Sequence, residues 1–175
     1  PVKYSFLPFT DLQNTSFQRI PILLKQRSAN DSPSPHLNSR NETEMNNAIE
    51  ARKLLRAHRY GVLSTISKKF DGYPFGSITP YLVDHDGSLI ILISTLAEHT
   101  KNIQQNSRVS LISHNQSDPQ IQTQGRITVI GDAKLASNQE QIGLRHMRYF
   151  PEAQAYLAMH DFFFYRIQSI AIRYI

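Results

Sequence analysis

Between Gly61 and Asn115 the chain reads GVLSTISKKFDGYPFGSITPYLVDHDGSLIILISTLAEHTKNIQQNSRVSLISHN. Apolar residues alternate on both sides of Asp71-Gly72 and of Asp86-Gly87. Asp-Gly readily adopts the positive φ values that match a hairpin turn to twisted strands, so two tight strand connections are predicted. A short helix then leads directly into another strand. That order limits the chain to a small antiparallel barrel and sets one helix N-terminus beside the sheet.

The same patterning predicts strands over Val62–Ser67, Tyr73–Val83, Ser88–Ser94, Arg108–His114, Gly125–Leu135 and Asp161–Ile175. The fold class is therefore mainly β with helices (α+β), a six-stranded antiparallel barrel. Leu89 to Ile93 is apolar at every position, which predicts a central strand covered on both faces. Gly131-Asp132 predicts a bend or bulge. Thr95-x-x-Glu98 has the form of a capping box opening a helix over Leu96–Gln105. A further helix is expected over about 43–60, with Ser39-x-x-Glu42 or Thr43 as cap. It carries Ala48, Ala51, Leu54, Leu55 and His58 near one face, and Gly61 at its C′ position. Residues 137–160 also read as helical.

Residues 1–45 have a different character. Pro8 and Pro21 interrupt short apolar groups (Phe6 to Phe9, Ile20 to Leu24), and 28–41 is a Ser/Asn/Pro linker with little to bury. The expectation is an arm and flexible linker over 1–45, packing on the barrel or a partner subunit, followed by one barrel domain over 46–175.

Composition excludes several classes. At 175 residues and 40% hydrophobic content the chain can bury one ordinary core. No apolar run approaches the roughly 18 residues of a membrane helix, and the N-terminus makes a poor secretion signal. The expectation is a soluble cytoplasmic protein with no membrane partner. Zero cysteines exclude disulfides, thiolate metal sites and cysteine nucleophiles. Net charge is +5, but the basic residues are scattered. The one tight group, Arg52, Lys53, Arg56 and Arg59, complements a helix C-terminus, so nucleic acid is not an expected partner.

No phosphate-binding glycine loop, His-Glu-x-x-His or Gly-x-Ser-x-Gly occurs, and the seven histidines are dispersed. Asp84-His85-Asp86-Gly87 resembles a calcium-loop fragment but lacks the downstream Glu, so it reads as a hairpin turn. The segment Ser94-Thr95-Leu96-Ala97-Glu98-His99-Thr100-Lys101-Asn102 starts where a buried strand ends and a helix begins. Free backbone N–H groups and the helix dipole there favour an anionic group such as phosphate or propionate. His99, Thr100 and Lys101 can add donors. On the residues alone the plainer reading is favoured, in which Glu98 satisfies the cap and His99 and Lys101 are simply solvated.

A series of segments then occurs in a recognisable order: Ala51 to Arg56, Gly61 to Thr65, Asp71 to Ser77, Pro80-Tyr81, and Leu96-Ala97-Glu98-His99-Thr100-x-Asn102. It continues through Arg126-Ile127-Thr128-Val129-x-Gly131, Tyr149-Phe150-Pro151-x-Ala153, Asp161-Phe162-x-x-Tyr165-Arg166 and Arg173-Tyr174. Over about 48 to 175 the chain resembles the haem-utilisation (HugZ-type) branch of the pyridoxamine-phosphate-oxidase-related split β-barrels, the FMN-binding-protein-like fold. The resemblance implies a homodimer whose ligand sites lie in clefts between subunits. It implies cofactor contacts at Ser77, Tyr81, Ser94, His99, Thr100, Lys101 and Asn102, and it designates no catalytic residue or metal ligand. Haem is the implied cofactor in this branch and FMN in the broader superfamily.

Flavin-binding relatives place an Arg and a Lys on the second strand and Ser-Arg-Lys at the helix start. Here the strand positions hold Ser77 and Leu82, and the helix start holds Ala97, Glu98 and His99, which favours haem over FMN. Relatives also continue into a Gly-Gly-Phe-Gly segment and a region that supplies the axial histidine in some of them. Either haem is ligated differently here, with His99, His114, His146 and His160 as candidates that sequence does not separate, or the protein does not hold haem stably. Three readings follow: a haem-binding protein of haem-iron utilisation with haem-oxygenase-like degradation as its activity, an FMN-dependent oxidoreductase, or a non-catalytic split-barrel dimer acting as a binding module.

Overall fold

A computed structural model describes residues 35–120 and 122–175, with side chains from residue 46 onward. The expected arm, Phe6 to Leu24, and the part of the linker before Pro35 lie outside the described residues. The elements are α1 (Pro35–Ala57), β1 (Tyr60–Ile66), β2 (Pro74–Pro80), β3 (Leu82–Val83), β4 (Leu89–Ser94) and α2 (Glu98–Gln105). They continue as β5 (Arg108–His114), β6 (Arg126–Leu135), α3 (Gln139–Tyr149), α4 (Ala153–Leu157) and β7 (Phe162–Tyr174).

Both Asp-Gly steps turn the chain as expected. Asp71 and Gly72 have φ of +39° and +83°, and Tyr73 N–H donates to Phe70 O at 3.1 Å. Gly87 has φ of +84°, with Asp84 N–H donating to Ser88 O at 2.8 Å. The antiparallel sheet runs β2-β1-β5-β6-β7-β4-β3. Only Tyr81 separates β2 from β3, so the two are halves of one bent strand that pairs with β1 at one end and β4 at the other. The sheet thereby closes into a barrel of six strands (counting β2–β3 once). The expected single strand Tyr73–Val83 is broken because Tyr81 N–H donates to Arg59 O at 2.9 Å instead of joining a ladder.

Leu89, Ile91 and Ile93 point into the barrel with Leu63, Leu111 and Ile127, and α1 adds Ala51 and Leu55. Ile90 points the other way, onto an outer layer with Leu82, Ile142, Phe150, Ala153 and Phe164. β4 is thus covered on both faces, as its uninterrupted apolar run requires. Gly61 is not a helix cap. α1 ends at Ala57, and Gly61 lies in β1, where a Cβ would stand 2.6 Å from Leu111 Cδ2 and 2.9 Å from Ile112 O. Close strand approach, not a left-handed turn, demands the glycine.

The outer layer encloses one polar side chain. His146 on α3 is 2% exposed and stacks on Phe150 at 4.6 Å between ring centroids. Neither ring nitrogen has a hydrogen-bond partner among the described residues. Burial pushes its pKa down from 6.5 to about 4, with Glu152 opposing. Between those values the unfolded chain binds a proton that the folded chain refuses. Its contribution to stability is therefore complete above pH 6.5 and falls away toward pH 4. The expected loss is about 2–3 kcal/mol, the scale of a shift of that size. Urea midpoints for His146→Phe should lack this component of the decline between pH 7 and pH 4.5; parallel curves for the two proteins would refute it.

Candidate functional site

β4 delivers Ser94 to one mouth of the barrel, and the chain turns there into α2. Ser94 Oγ bonds the Asp161 carboxylate and accepts from Leu96 N–H at 3.0 Å. Thr95 N–H donates to Asp161 O at 2.8 Å. These ties hold Thr95 outside the helix. The N-cap position is Ala97, which makes no side-chain cap bond, so the expected Thr95/Glu98 capping box does not form. Ala97 O instead accepts from Thr100 N–H at 3.1 Å and Lys101 N–H at 3.2 Å.

The candidate residues divide by direction. Thr100 and Asn102 are fully buried. Thr100 Oγ1 donates to Ser94 O at 2.6 Å. Asn102 Nδ2 donates to Thr65 Oγ1 at 2.9 Å, while its Oδ1 accepts from Lys68 N–H at 2.8 Å. Both spend these polar groups inside the protein, fastening α2 to β4 and β1. Tyr81 is buried too, its hydroxyl donating to Ser113 Oγ at 2.9 Å. Burial pushes that phenol up to about 12, with the Ser113 bond opposing.

Ser77, His99 and Lys101 remain nearer the surface. His99 is half-buried, and burial lowers its pKa, which leaves a neutral imidazole with a free lone pair at neutral pH. Lys101 is exposed. The Ser77 hydroxyl on β2 is shielded from water and has no partner among the described residues, and neither has that of Thr79. Thr79 is a residue that sequence reasoning missed. The two-residue strand period places it on the same face as Ser77 and could have found it.

The four candidate histidines are not brought together. His146 is sealed in the outer apolar layer, and His114 Nδ1 lies 3.2 Å from Gln124 Nε2. His160 is exposed but adjoins Asp161, which binds Ser94 and Thr95, so it stands at the same mouth as His99. Among the described residues no group of three or more acidic or histidine side chains is poised to hold a metal. The Asp84–Gly87 fragment behaves as a hairpin turn whose acids are answered by cations. Arg145 and Arg166 both bind Asp84, the latter at 2.6 Å, and Arg166 reaches Asp86 at 3.2 Å.

A six-stranded antiparallel barrel closed by a bent strand, with helices across its surface and a strand-to-helix junction at one mouth, defines the FMN-binding-protein-like split β-barrel. Residues 42–175 match the family described as CREG, beta-barrel, and the chain belongs to that family, within the HugZ- and pyridoxamine-phosphate-oxidase-related split barrels. It is 39% identical over 135 residues to the chloroplastic haem oxygenase HOZ of Arabidopsis thaliana, a match spanning 72% of this chain and 39% of that protein. A haem-binding protein of Mycobacterium smegmatis superposes with a TM-score of 0.63 at 25% identity, over 74% of this chain and 53% of that one. The haem storage protein HutZ of Vibrio cholerae has the same fold, with a TM-score of 0.59 at 23% identity over 69% and 88% of the respective chains. Among the described residues no helix is long and apolar enough to cross a membrane.

Proposed function

We propose that this protein binds haem for haem-iron utilisation and degrades it oxidatively, as a homodimer with the ligand at the Ser94–Asn102 junction between subunits. The observation that carries the reading is the chemistry of that junction. His99 offers a neutral imidazole, the form that ligates a metal, and Lys101 is one exposed cation of the kind that pairs with a propionate. Ser77 on β2, opposite Leu63, has an unpartnered hydroxyl as well. Glu98 stands in the first turn of α2, where a flavin phosphate with nearly two negative charges would call for a cation. The similarity to HOZ, a haem oxygenase, supports the same choice.

Bound haem would supply the iron that activates oxygen. The protein's part would be to hold it: His99 would be the metal ligand, Lys101 would pair with an acidic group, and the buried Thr100 and Asn102 bonds keep α2 in place. Titration of the purified protein with haemin should give a saturable Soret shift, and His99→Ala should weaken it about tenfold or more, the usual scale for losing a metal ligand or its support. Flavin bands on adding FMN, with no haemin response, would favour the oxidoreductase reading. Silence toward both ligands would favour a non-catalytic binding module.

The homodimer has its own support. Val62 and Ile78 are paired across β1 and β2 and are 41% and 76% exposed on the outer face of the barrel. Neighbouring apolar side chains left open in this way suit burial against a second copy. Ile78→Glu is expected to shift the protein from dimer to monomer in sedimentation equilibrium. A monomeric wild type would overturn this part of the proposal.

A further inference from the structure

At the other end of β4 from the candidate haem site lies a second recess. Its volume is about 340 Å³, and three elements build it: the C-terminal half of α1, the Asp84–Gly87 turn and the later half of β7. Six residues make β4 about 20 Å long, so the two places are separate.

The recess has a charged rim and an apolar floor. Arg52 and Arg56 are four residues apart on α1, so they share one helix face. Like charges so placed repel, and among the described residues neither guanidinium has an ion-pair partner. Asp86 also lines the recess, but Arg166 at 3.2 Å and the Ser88 hydroxyl at 2.6 Å already answer its carboxylate. The local field is therefore positive. Leu55, Val83, Ile170 and Ile172 provide apolar surface below it.

The β6–β7 bulge shapes this floor. Ile130 pairs with Ala171 and Gly131 with Ser169, so Ile170 has no opposite residue. A bulge of this kind re-aims a side chain, and Ile170 is left 53% exposed in the wall of the recess. Close approach of the two backbones at Gly131 makes the bulge possible, since a Cβ there would stand 2.2 Å from Gln168 O.

We infer that this recess is a second ligand site, which takes a small organic phosphate or carboxylate with its acidic group between Arg52 and Arg56 and its apolar body on Ile170 and Leu55. Guanidinium forks suit such oxyanions bidentately. The volume falls near the lower end of ordinary ligand pockets, which suits a compact molecule and not a tetrapyrrole.

Phenyl phosphate, benzoate and inorganic phosphate are suitable probes, read by amide chemical shifts of the whole chain. Phenyl phosphate, benzoate or both should shift Leu55, Gly87, Ser169 and Ile170 saturably, and the stronger of the two identifies the preferred acid. Inorganic phosphate should bind more weakly than phenyl phosphate. The double variant Arg52→Gln/Arg56→Gln should lose about tenfold or more in affinity, the scale of one or two charge-assisted hydrogen bonds. The variant should stay folded with an unchanged haemin titration, because both arginines are exposed and lie away from the Ser94–Asn102 junction. Ile170→Ser should weaken phenyl phosphate but not inorganic phosphate. Failure of both organic probes to bind, undiminished affinity in the double variant, or shifts confined to Ser94–Asn102 would each overturn the inference. The first two results leave haemin binding untouched, and the third would place the anion at the proposed haem junction instead.

Discussion

Replacing Asp84 by alanine is expected to lower the thermal midpoint by about 6–12 °C, equivalent to about 2–3 kcal/mol for a domain of this size. Asp84 accepts bonds from two guanidiniums, Arg145 and Arg166, and its side chain is only 16% exposed. Arg145 also donates to Val83 O at 2.8 Å, so the carboxylate locks α3 to the end of β3. Removing Asp84 leaves Arg145 without an anion and Arg166 with Asp86 alone, at 3.2 Å, while most of their desolvation cost persists. Partial exposure of the arginines, 24% and 23%, sets the estimate below the full cost of a buried pair. Burial alone would raise the carboxyl pKa, but the His85 N–H and the two arginines hold it below its ordinary value. A depressed folded pKa means that the stabilisation is present above the unfolded value and is lost as pH falls through the folded one. The gap between wild type and Asp84→Ala should therefore be wide at pH 7 and narrow in acid. Thermal unfolding followed by circular dichroism at several pH values measures it. Equal midpoints at pH 7, or a gap that widens in acid, would refute the account.

That cluster marks the boundary of what local sequence could reveal. The Asp84–Gly87 turn was legible because Asp-Gly chemistry acts within four residues. The limits of β5 and the two-faced burial of β4 were legible because strand periodicity is also local. Arg145 and Arg166 lie far along the chain, and nothing near Asp84 announces them. The same distance accounts for the failures. Tyr81 interrupts a strand because the Arg59 carbonyl captures its N–H, and the Thr95/Glu98 box does not form because Asp161 holds Ser94 and Thr95. Gly61 sits at a plausible C′ spacing, yet its requirement comes from Leu111 and Ile112 on β5. In the candidate site, residue identity located the junction but could not orient α2 about its axis. That rotation turns Thr100 and Asn102 inward to Ser94 and Thr65 while Lys101 stays outside. Ser77 was visible from the family pattern, whereas its unpaired hydroxyl needed three dimensions.

Gly131→Ala is expected to cost about 3 kcal/mol, at the upper end of ordinary overpacking penalties. The added Cβ would meet Gln168 O at 2.2 Å and Ser169 Cα at 3.1 Å, all backbone, so no flexible side-chain end can swing aside. Either β7 withdraws from β6 and loses ladder bonds, or the register shift between Ile130 and Gly131 relaxes. Both routes disturb Ile170, so the Arg52/Arg56 recess should lose its organic anion together with the stability. Gly143→Ala is the matched control. That Cβ would sit 3.5 Å from Phe164 Cε2, an ordinary contact, within helix α3. Alanine there should leave stability unchanged or raise it by up to about 1 kcal/mol through helix propensity. Urea unfolding of the two variants separates close backbone approach from a general intolerance of added methyl groups. If Gly131→Ala unfolds at the wild-type midpoint, the bulge does not rest on this glycine, and the floor of the recess must be held by other contacts along β7.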